Sequence, residues 1–158
     1  MLDNKLVLAD SLVLTAGAVT NVTSTNVLDM GPLASGNLYR NLGNADLYLF
    51  TRIESTATST GSATLSIKLV GDNNTGMTST ALIVTQATTV AVANVTAGTI
   101  YKTPLPRGTN MERYLQVEYN VATAPFSAGG NVSSWIGPAD STGDFYAYNQ
   151  NAAETNSF

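Results

Sequence analysis

Carboxylate side chains are the first candidates for chemistry in this sequence, because the usual catalytic groups are missing. The chain of 158 residues contains no histidine and no cysteine, so the usual general base, the thiolate nucleophile and the commonest zinc ligands are absent. Two carboxylates can form a glycosidase site. The 11 acidic residues, however, stand singly and mostly beside predicted turns, where solubility and turn formation explain them. We therefore predict that the protein is not an enzyme and needs no cofactor.

One short acidic segment offers the best match to a metal site. Asp72-Asn73-Asn74-Thr75-Gly76 superficially resembles a calcium loop. An EF-hand loop, however, places its glycine after a third ligand position and ends with glutamate, and neither condition holds here. The same residue types tolerate left-handed backbone and close turns. The segment therefore predicts a turn between two strands, and no metal site.

Aromatic and arginine side chains are the stronger candidates for binding. Alternation within NVSSWIG places Trp135 opposite its apolar neighbours, where it could stack on a sugar together with Tyr114, or anchor a protein interface. Arg107 and Arg113 flank a predicted turn and could clamp a carboxylate. Solvated charges at a strand end are the simpler interpretation of these two arginines.

The elements that position these side chains are β-strands. In ERYLQVEYNV every second residue is apolar, which is typical of a half-buried strand. ADLYLFTRIE is apolar on both sides and is predicted to be a central strand. About seven to nine such strands, with no helical period beyond an ambiguous N-terminal segment, predict an all-β antiparallel sandwich, either a jelly roll or an immunoglobulin-like fold. The predicted core contains Leu47, Leu49, Leu65, Ile67, Leu69, Leu115, Val117 and Tyr119.

The low charge of the chain and its lack of long apolar stretches limit the classes of partner that it can bind. Only 11% of the residues are charged, the net charge is −4, and the basic residues are scattered, so we predict no nucleic-acid partner. No apolar stretch approaches the length of a membrane span or of a secretory signal, so we predict no membrane partner and no secretion. The sequence predicts one domain over residues 1–137, followed by a polar, aromatic-containing arm over 138–158.

Several segments resemble a known family. They are MLD at the start, STNVLDMG at Ser24 to Gly31, and LPRG followed by RYLQVEYNVATAPFSAGGNV. In this order they resemble the jelly-roll capsid decoration, or cement, proteins of tailed bacteriophages. The resemblance covers Met1 to about Gly137, and the aromatic tail after Pro138 departs from it. None of the matching motifs is catalytic.

The resemblance implies a jelly-roll sandwich with extended terminal arms and a structural function. Such proteins are made in the host bacterial cytoplasm, bind the outer surface of an icosahedral shell and bridge subunits of the major capsid protein. We therefore expect the major capsid protein and identical copies of the chain as partners, with a dimer preferred over a trimer. A carbohydrate-binding, lectin-like module of a phage tail or fibre is the alternative.

Apolar groups at the chain ends and side chains at predicted strand ends are the candidates for contact with the capsid or with another copy. Leu12 and Leu14 are equally compatible with completing the domain core. The predicted contact residues are Leu2, Leu6, Leu8, Leu12, Leu14, Arg107, Arg113, Tyr114, Trp135, Phe145, Tyr146, Tyr148 and Phe158.

Overall fold

The strand pattern predicted from the sequence is present in the structure, a computed structural model. The structure describes residues 6–14, 20–32, 46–78, 82–87, 89–106 and 111–139. Ten strands lie within these ranges, compared with the seven to nine that the sequence predicted, and Val92–Asn94 forms a short 3₁₀ turn. The strands are β1 (Val7–Leu12), β2 (Thr20–Thr23), β3 (Leu28–Asp29), β4 (Leu47–Ile53), β5 (Thr64–Asp72), β6 (Leu82–Gln86), β7 (Val90–Ala91), β8 (Ile100–Pro104), β9 (Tyr114–Ala122) and β10 (Val132–Pro138).

The strands form two antiparallel sheets that pack face to face. One sheet has four strands in the order β1-β10-β4-β8. The other has β2-β9-β5-β6 as its main path, with β3 added beside β9 and β7 added beside β5. The chain passes repeatedly from one sheet to the other, and the two four-strand orders are those of a jelly roll. The predicted fold class is confirmed.

The core lies between the two sheets and follows the predicted faces. In β9, Leu115, Val117 and Tyr119 point inward and have no exposed surface. Strand β4 lies between β10 and β8 and is buried on both faces, as its two-sided apolar pattern predicts. Of the predicted core residues only Leu47, at the start of β4, is half-buried, and it still packs against the core. The domain boundary at 137/138 stays a prediction, because residues 140–158 lie outside the described residues.

A chain of hydroxyl groups crosses the apolar core from one sheet to the other. Tyr119 Oη on β9 donates a hydrogen bond to Ser134 Oγ on β10 at 2.6 Å. A second hydrogen bond of 2.7 Å joins Ser134 Oγ to Thr51 Oγ1 on β4. All three residues are buried, so each hydroxyl would lose hydrogen bonding to water without these partners. The chain therefore links the central strands of both sheets by polar contacts inside the core.

Removing the phenol oxygen should weaken the domain at neutral pH and make it less sensitive to alkali. Tyr119→Phe removes one hydrogen bond from Ser134, which should lower the free energy of unfolding by about 1–3 kcal/mol. Burial raises the pKa of Tyr119, so the folded state keeps the phenol proton where an unfolded tyrosine, with a pKa of about 10, has lost it. Stability from this group is therefore complete below pH of about 10 and declines as the pH rises, by up to about 1.4 kcal/mol per pH unit.

Urea unfolding at neutral and at strongly alkaline pH measures both effects. The difference in free energy of unfolding between the unmodified protein and Tyr119→Phe should shrink as the pH rises above about 10. A difference that stays the same at both pH values would contradict the assignment of alkaline sensitivity to this phenol.

The loop that carries the sequence APFSAGG packs against the loop that follows β4. Thr58 N donates a hydrogen bond to Ala128 O, and Thr58 O accepts one from Ser127 N. Gly130 N donates a third hydrogen bond to Ser55 O. Phe126 from the same loop lies in the core with 2% of its surface exposed. This motif, which contributes to the family resemblance, therefore closes one end of the sandwich.

Candidate functional site

Several acidic side chains in the described residues stabilise local structure. Glu118 forms an ion pair with Lys68 at 3.3 Å, and Asp29 forms one with Arg113 at 2.9 Å. Glu54 lies 3.5 Å from Arg52. Within the ranges that the structure describes, no group of three or more acidic side chains is arranged to hold a metal ion.

The segment that resembles a calcium loop is built as two successive turns. Asp72 Oδ1 accepts a hydrogen bond from Asn74 N at 2.9 Å, and Asn74 Oδ1 accepts one from Gly76 N at 2.9 Å. Each side-chain oxygen thus binds the backbone two residues further on, which is the usual function of these residues at turns. The predicted turn at the end of β5 is confirmed.

Trp135 lies on the predicted side of β10, but it is not accessible. It faces away from the sandwich interior and is nevertheless completely buried. Its ring stacks on Phe50 of β4, with the ring centroids 5.4 Å apart and the planes at 13°. With no exposed surface, the indole cannot stack on a sugar in this structure. The lectin-like interpretation therefore lacks the platform that the sequence suggested.

The outer face of the four-stranded sheet is aromatic. We call the set of Val7, Tyr48, Phe50, Ile100 and Trp135 the outer aromatic cluster. Lys102 extends from the edge strand β8 across it, with Nζ 4.1 Å from the centroid of Tyr48 and 5.8 Å from that of Phe50. The ammonium therefore makes cation–π contacts with two rings of the cluster.

The outer face of the six-stranded sheet is polar by contrast. Glu118 pairs with Lys68 across the β9–β5 register, and Asn120 Nδ2 donates to Asn21 Oδ1 on β2. Gln116 Nε2 donates to Ser24 O at 3.0 Å, and only 9% of Gln116 is exposed. These side chains are thus engaged with neighbouring parts of the chain.

Arg113 is held by its own chain. Its Nε and Nη2 donate to the two carboxylate oxygens of Asp29 at 2.9 and 3.0 Å, and the guanidinium lies 4.9 Å from the ring of Tyr114. The hydrogen bond with Asp29 raises the pKa of Arg113. The carboxylate that Arg113 binds therefore belongs to the same chain. Tyr114 is 9% exposed, and Arg107 lies outside the described residues.

The predicted N-terminal contacts divide into core residues and border residues. Leu8 and Leu14 are buried in the core, at 0% and 1% exposure, so they cannot contact another protein in this structure. Leu6 and Leu12 are half-buried against the same core. The reason is that β1 belongs to the four-stranded sheet, so its apolar side chains complete the sandwich. Leu2, Phe145, Tyr146, Tyr148 and Phe158 lie outside the described residues.

The free edge of β1 is capped by a neighbouring loop. Asn26 N donates to Leu8 O at 2.9 Å, and Asn26 Nδ2 donates to Val7 O at 3.0 Å. One asparagine thus satisfies two carbonyl groups that would otherwise be open to strand pairing. The loop comes from STNVLDMG, one of the segments that carry the family resemblance.

An open cleft of about 690 Å³ lies between this loop and β1. Val27, which is 38% exposed, contributes an apolar wall to it. Sequence reasoning did not identify this site, although the interruption of alternation within STNVLDMG was an available signal. We call this site the edge cleft; its lining residues are Val7, Thr25, Asn26, Val27, Leu28, Asp29 and Gly31.

A comparison with known protein families found a match for this chain. A sequence profile of the family Bbp16 matches residues 8–136, from within β1 to within β10. The chain belongs to the Bbp16 family. Bbp16 is a phage-type family, in agreement with the sequence motifs. A virion location is consistent with this membership. No curated protein matches this chain. The residues that the structure describes contain no helix that is both long enough and apolar enough to cross a membrane.

Proposed function

We propose that the protein is a structural virion component that binds the outer surface of a phage capsid and stabilises contacts between subunits of the major capsid protein. Membership of a phage-type family and the jelly-roll sandwich support this proposal. The observation that carries it is the position of STNVLDMG. This segment, which contributes to the resemblance to capsid cement proteins, lines the edge cleft.

The edge cleft is suited to contact with another protein. It combines the exposed apolar side chain of Val27 with polar groups of Thr25 and Asp29 at its rim. Protein interfaces typically combine a small apolar centre with a polar border. In this proposal the shell subunit inserts an apolar side chain beside Val27.

The shell contact is tested with purified virions and expanded shells. We expect the protein to co-purify with virions at a constant molar ratio to the shell subunit. Val27→Asp should retain the melting temperature of the unmodified protein, because an exposed position tolerates a charge. It should bind expanded shells more weakly than the unmodified protein in a competition experiment, because an apolar contact does not tolerate a charge.

Val13→Asp is the matched control. Val13 is also exposed, at 53%, but it lies just after β1, at the end of that strand opposite to Val7. This variant should bind shells as the unmodified protein does. Equal retention of Val27→Asp would rule out the edge cleft as the contact, whereas absence of the protein from purified virions would refute the proposed function itself.

Identical copies are proposed to form dimers on the shell. Strand β6 contains no charged residue and no proline between Leu82 and Gln86, and such strands pair readily with another strand. A chemical cross-linker applied to the same particles should yield a dimeric species of this chain. Cross-links to the shell subunit without any between identical copies would exclude pairing.

A further inference from the structure

The completely buried pair of Phe50 and Trp135 lies on the outer face of the four-stranded sheet. The two residues are cross-strand partners of β4 and β10, and both point away from the sandwich interior. Each has 0% of its surface exposed. Outer faces of two-layer sandwiches normally carry polar, accessible side chains, as the six-stranded sheet of this protein does.

Stacking explains only part of this burial. A cross-strand pair covers the facing surfaces of its two rings, and side chains of the same sheet face cover the flanks. Val7, Tyr48 and Ile100 provide such flanks here. Side chains that stand on one sheet face are fully removed from water when another layer of chain packs over them. A further layer of chain over the outer face of the four-stranded sheet would account for the complete burial of these two rings.

The path of the chain after β10 indicates which segment provides this layer. Strand β10 ends at Pro138, and Ala139 O accepts a hydrogen bond of 2.9 Å from Lys102 Nζ. The same ammonium lies over the rings of Tyr48 and Phe50. Lys102 thus fixes the last described residue beside the outer aromatic cluster.

The remaining sequence has the composition that such a layer requires. Residues 140–158 contain four aromatic side chains, Phe145, Tyr146, Tyr148 and Phe158, separated by small and polar residues. An extended chain advances about 3.3 Å per residue, and neighbouring strands lie about 4.8 Å apart, so about five residues cross four strands. Phe145, the first aromatic residue of the segment, follows Ala139 by six residues, which is enough chain to cross the sheet.

We propose that the outer aromatic cluster is the binding surface for the chain's own C-terminal segment, residues 140–158. In this arrangement the aromatic residues of the segment bury Phe50 and Trp135, and Lys102 positions the segment at its start. The four aromatic residues that the sequence suggested as capsid contacts serve the four-stranded sheet instead. The proposal is independent of shell binding, since it concerns the isolated chain.

The single tryptophan makes a direct test possible, because Trp135 is the only Trp in the chain. A variant truncated after Ala139 should show red-shifted Trp emission and stronger quenching by acrylamide than the intact protein. A full-length variant with Phe145, Tyr146, Tyr148 and Phe158 each replaced by Ser should behave in the same way. Its matched control, with Asn149, Gln150 and Asn151 replaced by Ser, should keep the emission of the intact protein.

A second measurement keeps the test valid if truncation unfolds the domain. Because the chain lacks cysteine, a nitroxide quencher can be attached at Ala147→Cys, which leaves all four aromatic residues of the segment in place. It should quench Trp135, whereas the same label at Asn74→Cys, in the turn after β5, should not. Unchanged Trp emission after truncation, or equal quenching from the two labelled positions, would overturn the proposal and assign the covering layer to another part of the chain.

Discussion

Replacing Val117 by Asp should unfold the domain at neutral pH. Val117 lies at the middle of β9, opposite Leu69 of β5, and has no exposed surface. A carboxylate at this position would enter an apolar core without a cationic partner, at a cost of several kcal/mol. Domains of this size are stable by about 5–15 kcal/mol, so this one substitution consumes most of the margin. Far-ultraviolet circular dichroism and urea unfolding measure the loss.

Asn120→Asp is the control for this substitution. Asn120 lies three residues further along the same strand, on the outer polar face, where it is half-buried beside Asn21. The amide of Asn21 can turn to donate to the new carboxylate, so we expect a loss of about 1 kcal/mol or less. If Val117→Asp melted at the temperature of the unmodified protein, the assignment of inward and outward residues in β9 would be wrong.

Gly129→Ala should be the most damaging single methyl addition among the loop glycines described. Gly129 has a φ of +67°, which side chains rarely adopt, and its added Cβ would overlap the carbonyl oxygen of Thr56. The neighbouring loop is fixed there by hydrogen bonds with Ala128 and Gly130, so it cannot move away without breaking them. We expect a loss of about 3 kcal/mol in free energy of unfolding.

Gly98→Ala measures the loss of stability that comes from the backbone conformation alone, without a steric collision. Gly98 has a φ of +86°, but an added Cβ there meets no atom within 4 Å. Only the cost of the left-handed backbone applies, so we expect a loss of about 1 kcal/mol. Urea unfolding of both variants provides the comparison. Equal losses would show that the close packing of the two loops does not contribute to stability.

The local pattern of the sequence was sufficient to predict several of the strands after residue 45 and their faces, but not the strands of the N-terminal segment. Alternation in ERYLQVEYNV identified Leu115, Val117 and Tyr119 as inward residues, and the two-sided pattern of ADLYLFTRIE identified β4 as central. Likewise, the residue types of Asp72 to Gly76 predicted a turn. These properties depend on neighbouring residues in the chain, because the period of a strand and the chemistry of a turn are local.

Contacts between residues distant in sequence were decided only by the tertiary structure. Arg113 looked like a free clamp until the fold brought Asp29 to it, and Leu8 looked like a contact residue until β1 joined the four-stranded sheet. The period of NVSSWIG gave the correct side for Trp135, but period two only assigns a side chain to one of two faces. Whether a face meets water or another layer depends on sheet order and on the path of the chain after the last strand, and these are properties of the whole fold.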